Sequence, residues 1–85
     1  MSAVFTCVCK LDKKLRASIS LHPVGQNQDC WQMRLKLFYE KAALGKLSFD
    51  LKYYSFKEAQ ELALNFHKYG DLMSEVDMYL SSGSD

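Results

Sequence analysis

Apolar residues recur along this chain first with a period of two and later at helical spacing, and the change of period divides it into a sheet and a helical part. Trp31, Met33, Leu35, Leu37 and Tyr39 alternate with Gln32, Arg34, Lys36, Phe38 and Glu40, the pattern of a strand with one face on a core. Leu47, Phe49, Leu51 and Tyr53 repeat it against Lys46, Ser48, Asp50, Lys52 and Tyr54. The connection Lys41-Ala42-Ala43-Leu44-Gly45 is short, and its glycine suits the positive φ that hairpin turns require. Leu15, Ala17, Ile19 and Leu21 alternate with Arg16, Ser18, Ser20 and His22. Val4–Cys9 is apolar and β-branched enough for one more strand, with Asp12-Lys13-Lys14 as the turn between them. Pro23 to Asp29, rich in Pro, Gly and amides, is the longest loop and the one expected to move or to touch a ligand.

Ser55 followed by Glu58 is a capping box, in which hydroxyl and carboxylate satisfy backbone N–H groups at a helix start. Phe56, Ala59, Leu62, Ala63, Phe66 and Tyr69 then form one stripe, and Gly70 is placed to end the helix after His67 and Lys68. Residues 72–80 fit two templates. Val76, Met78 and Leu80 alternate as in a strand, while Leu72, Val76 and Tyr79 stripe a helix; the regular alternation favours the strand. The expected fold is α+β: a two-layer domain with an antiparallel sheet of four to five strands and one α-helix, Ser55–Tyr69, packed on one face, in the order β-β-β-β-α-β. Residues 1–80 form that single domain and 81–85, Ser-Ser-Gly-Ser-Asp, a flexible tail. The expected core is Phe5, Ile19, Leu21, Trp31, Met33, Leu35, Leu37, Phe49, Leu51, Leu62, Phe66 and Val76.

Composition narrows the class. Eighty-five residues, 48% hydrophobic with four Gly and one Pro, are too apolar for a disordered chain and too few for two domains. The first Lys is Lys10, so Met1–Cys9 lacks the basic start of a signal peptide, and no apolar run approaches bilayer length. The sequence therefore reads as mature from Met1 and cytoplasmic. An odd cysteine count at positions 7, 9 and 30 is no disulfide framework. Cys7, Cys9, Cys30 and His22 include the ligand types of a Cys3His zinc site, but the spacing fits no usual zinc module, and reduced core cysteines are the expectation. No metal or cofactor is expected.

Catalytic patterns are not evident. Gly25, Gly45, Gly70 and Gly83 are isolated, so no phosphate loop forms; a Cys30–His22 pair has no third orienting group; Glu58 and Glu61 read as a cap and a solvated helix face. No enzymatic activity is expected.

Charge says more. Residues 1–70 hold all eleven Lys and Arg against six acids, whereas 71–85 hold four acids and no base. The strand phases place Arg16, Arg34, Lys36, Lys46 and Lys52 outward, with Phe38 and Tyr54 among them, on the sheet face opposite the helix. These seven residues are the expected partner-binding face. Phe38 stands out because it sets a large ring where the alternation calls for a polar residue.

Basic side chains interleaved with aromatics suit nucleic acid. The layout Trp31…Gly45…Phe49…Ser55–Ala59 also resembles the three-strand-plus-helix DNA-binding sheet of AP2-type domains. It lacks their arginine density and follows a pattern that any strand-hairpin-helix unit produces, so no membership is assigned. The aromatic and arginine content equally suits the centre of a protein interface. The function expected is non-catalytic binding of another protein as an adaptor, regulator or inhibitor, of the kind mobile elements encode. Nucleic acid is the alternative partner. No membrane is involved, and an open strand edge allows a homodimer. An acidic last strand would, however, neutralise the basic face.

Overall fold

The computed structural model describes residues 3–26 and 29–82. Four strands form where the alternation is regular: β1 Phe5–Lys10, β2 Leu15–Pro23, β3 Cys30–Tyr39 and β4 Ala42–Lys52. They lie in one antiparallel sheet in chain order. Because side chains of a pleated strand alternate between faces, register decides which residues meet. Here Cys7 pairs with Ile19, Ile19 with Leu35 and Leu35 with Leu47; the next row runs Phe5, Leu21, Met33, Phe49. Apolar positions of all four strands thus coincide on one face. Ala17, Ile19, Leu21, Met33 and Leu37 there are completely buried.

The β3–β4 hairpin turns differently from the sequence expectation. Tyr39 pairs with Ala42, so the loop is Glu40-Lys41, and Glu40 takes the positive φ of 55° that a two-residue loop demands. Its N–H donates to the Lys14 carbonyl at 2.9 Å, and its carboxylate meets Lys14 Nζ at 3.0 Å. Gly45 is not in the turn. It lies within β4, opposite Leu37, while Phe38 faces Ala43; Leu44 is the extra residue of a β-bulge that restores the inward phase of Leu47, Phe49 and Leu51.

The helix start follows the sequence. Ser55 Oγ accepts the Glu58 N–H and the Glu58 carboxylate accepts the Ser55 N–H, opening α1, Phe56–Leu64. Ala59, Leu62 and Ala63 are buried, and Phe56 sits against Phe5 and Trp31. The helix stops before Tyr69, at Asn65, whose N–H and side-chain amide both donate to the Glu61 carbonyl. A 3-10 turn, Phe66–Lys68, follows and buries Phe66 edge-on against Phe49.

Residues 72–80 correct the expected order. They are not a strand but part of a second helix, α2, Gly70–Ser82. As a helix the segment buries Val76 completely and packs Leu72, Met73, Tyr79 and Leu80 on the core. A strand would have presented only alternate residues and left the β4 side of the inner face bare. The domain is therefore a four-stranded meander with its helical layer on one face, a small α+β fold. Ser81 and Ser82, expected in the tail, belong to α2; residues 83–85 lie outside the described residues.

Candidate functional site

The sheet face away from the helices carries the outward residue of every strand position. Its rows follow from register: Lys10, Arg16, Phe38 and Ala43; then Val8, Ser18, Lys36 and Lys46; then Thr6, Ser20, Arg34 and Ser48; then His22, Gln32 and Asp50. Lys52 lies beyond, opposite Cys30. Six of the seven expected residues, Arg16, Arg34, Lys36, Phe38, Lys46 and Lys52, thus share this face. Tyr54 does not. The strand ends at Lys52, Tyr53 takes a φ of 67° and swings out to 85% exposure, and the phase of the next residue is lost. Tyr54 packs on the core instead, and its carbonyl accepts the Trp31 indole N–H at 2.9 Å. Lys10 was not foreseen, although Cys7 and Cys9 on the inner face already imply that it points outward.

Small side chains make the middle of this face concave. A trough of about 710 Å³ is lined by Thr6, Ser18, Ser20 and Ser48 and edged by Arg34, Lys36 and Lys46. Arg34 Nε donates to Gln32 Oε1 at 2.6 Å, which fixes the guanidinium and leaves its terminal nitrogens for a ligand. Lys36 stands directly opposite Lys46, a cross-strand arrangement that costs stability through like-charge repulsion. Among the described residues no carboxylate pairs with a cation of this face; the recorded ion pair, Lys14–Glu40, is at the hairpin end. Asp50 is the face's one acid among those residues. Glu75 and Asp77, which a last strand would have set beside this face, ride with Asp71 on α2 behind the sheet.

The cysteine readings also resolve by face. Cys7 and Cys9 point inward, Cys30 and His22 outward, so one zinc ion cannot reach all four. Among the described residues no group of three or more His, Cys, Asp or Glu is placed to hold a metal. The inner pair is packed: Cys9 is buried, and burial together with the neighbouring Cys9 pushes the Cys7 thiol pKa up. Cys9 Sγ lies 3.5 Å from His67 Nδ1, a contact the sequence did not suggest. Neither residue lines the sheet-face trough, the hollow beside Trp31 and Phe56, or the hollow beside Leu62 and Tyr69. The loop expected to touch a ligand borders a second hollow with Pro23, Gly25, Trp31 and Phe56; Asn27 and Gln28 of that loop lie outside the described residues.

Among the described residues no helix is long and apolar enough to cross a membrane. Comparison with protein-family models, curated proteins and solved structures gives no match.

Proposed function

We propose that this chain is a non-catalytic binding module that takes an anionic macromolecule on the open face of its sheet. The observation that carries this reading is the separation of charge between layers. Among the described residues, Lys10, Arg16, Arg34, Lys36, Lys46 and Lys52 share one face with Asp50 as its one acid, while most remaining acids lie on α1 and α2. Repulsion between Lys36 and Lys46 is relieved when an anion bridges them, so the cost carried by the isolated chain becomes affinity for the partner. The Gln32-held guanidinium of Arg34 supplies a pre-oriented fork for a phosphate or carboxylate.

An acidic protein surface, met by an adaptor, regulator or inhibitor, is a second reading. The exposed Val8 at the β1 edge favours it by offering apolar area to a partner, with the half-buried Phe38 adding part of its ring at one end of the face. The general reading is tested by binding to immobilised heparin and to polyglutamate at low salt. The expected outcome is retention of the native chain and loss of retention for Lys36→Glu with Lys46→Glu. Retention that survives both charge reversals would place the binding surface elsewhere.

A further inference from the structure

We infer that the partner of this face is single-stranded nucleic acid, its sugar-phosphate backbone running over Arg34, Lys36 and Lys46 and its polar edges meeting the hydroxyl-lined trough. The inference rests on the proposed anionic-partner reading and names the class of partner.

The arrangement of the face is the first argument. Protein interfaces are apolar and depleted of charge at their centre, with charged residues at the rim. This face has the reverse order. Arg34, Lys36 and Lys46 surround the middle, with Ser18, Ser20 and Ser48 between them, while Val8 belongs to the edge strand and Phe38 to the last row. Such a centre matches a ligand whose charge is continuous and whose other groups are hydrogen-bonding. Phosphates and sugars meet that description.

Spacing is the second argument. Arg34 and Lys36 are two residues apart on one strand, which sets their α-carbons about 6.8 Å apart, and Lys46 adjoins Lys36 on the next strand. Arg34 and Lys36 at that repeat follow an extended backbone, and Lys46 flanks it from β4. Phe38 continues the row along β3 and gives one base a ring to stack on.

Shape decides between single strand and duplex. The face is a trough lined by hydroxyls, and the two helices pack on the opposite side of the sheet. Duplex reading depends on a helix or ribbon entering a groove. A concave sheet instead receives one strand with its bases turned toward the hydroxyls.

The test is fluorescence anisotropy with labelled 20-nucleotide single-stranded DNA and RNA, the matching duplex, and polyglutamate of equal charge. Single strands should bind more tightly than duplex or polyglutamate. With the three cations engaged, the log–log salt slope should be about −2, an affinity loss of about 20-fold between 50 and 200 mM salt. Lys46→Ala should shallow the slope by about 0.7, and Arg34→Ala should weaken binding, while thermal unfolding of both variants stays close to that of the native chain. Tighter binding of duplex overturns the single-strand assignment. Polyglutamate binding without oligonucleotide binding overturns the nucleic-acid inference and leaves the anionic-partner reading standing. Binding of neither overturns both.

Discussion

Gly45 sits at the junction between the two layers, and its missing side chain is what lets them meet there. Its φ of 152° lies where residues with a Cβ are strained, and the Tyr79 ring and hydroxyl occupy the space a Cβ would fill. The same hydroxyl accepts the Lys46 N–H at 3.2 Å, satisfying a donor on the open edge of β4 that water or another chain would otherwise meet. Gly45→Ala should therefore cost at least about 2 kcal/mol, from backbone strain plus displacement of the ring. In a Tyr79→Ala background the same change should cost less, because the steric part is gone and the backbone part remains; urea unfolding of the four chains measures this. Glu58 makes a different prediction. Hydrogen bonds from the Ser55 N–H and hydroxyl lower its pKa below the ordinary 4.5. A lowered pKa contributes stability present above pH 4.5 and lost as pH falls through the folded value. Glu58→Gln should thus unfold at a lower temperature than the native chain at pH 7, and the gap should close in acid. A gap that persists unchanged below the folded pKa would mean that the carboxylate charge is not what holds the cap.

Tyr53 ends β4 in a conformation that suits glycine better than tyrosine. Its ring is almost wholly exposed, so removing the side chain forfeits little packing, while relief at a φ of 67° is offset only in part by the extra freedom of an unfolded glycine. Tyr53→Gly should raise the urea midpoint, by up to about 1 kcal/mol in stability; a fall would mean that the ring contributes packing which its exposure conceals. This position also explains the misplacement of Tyr54. Alternation read from sequence assumes that the strand continues, and one left-handed residue reverses the phase of everything after it. Where the backbone stays regular, as across Leu15–Leu21 and Trp31–Leu37, the phase was legible to the residue, and so was the open face with Arg16, Arg34, Lys36, Phe38, Lys46 and Lys52. Ser55 and Glu58 announced α1 because capping chemistry is local. The hairpin turn was hidden because Glu40, not a glycine, takes the left-handed position, held by two contacts to Lys14 from the neighbouring hairpin. α2 was hidden for a tertiary reason. Val76 and Leu80 fit periods of two and of four alike, and what selects the helix is the bare inner face beside β4, which no local pattern describes.

Seen across the whole molecule, the helical assignment of residues 70–82 changes the electrostatics more than it changes the fold. As a last strand, Glu75 and Asp77 would stand beside the basic face and cancel part of it. As a helix they ride on the opposite layer of a body whose smallest extent is 21 Å, and the sheet lies between. At physiological salt the Debye length is about 8 Å, so charges on the helical layer are screened from a ligand in the trough, whereas Asp50 on the face itself is not. Replacing Asp71, Glu75 and Asp77 by their amides should leave affinity for a single-stranded oligonucleotide within about twofold at that salt. Asp50→Asn alone should raise affinity further than that, since it removes a like charge from the ligand's own side of the sheet. Lowering the salt lengthens the screening distance and should bring the two variants closer together. If the three helix amides strengthen binding as much as Asp50→Asn at physiological salt, the sheet does not insulate the face, and the field of the whole molecule, not the local row of cations, governs what it attracts.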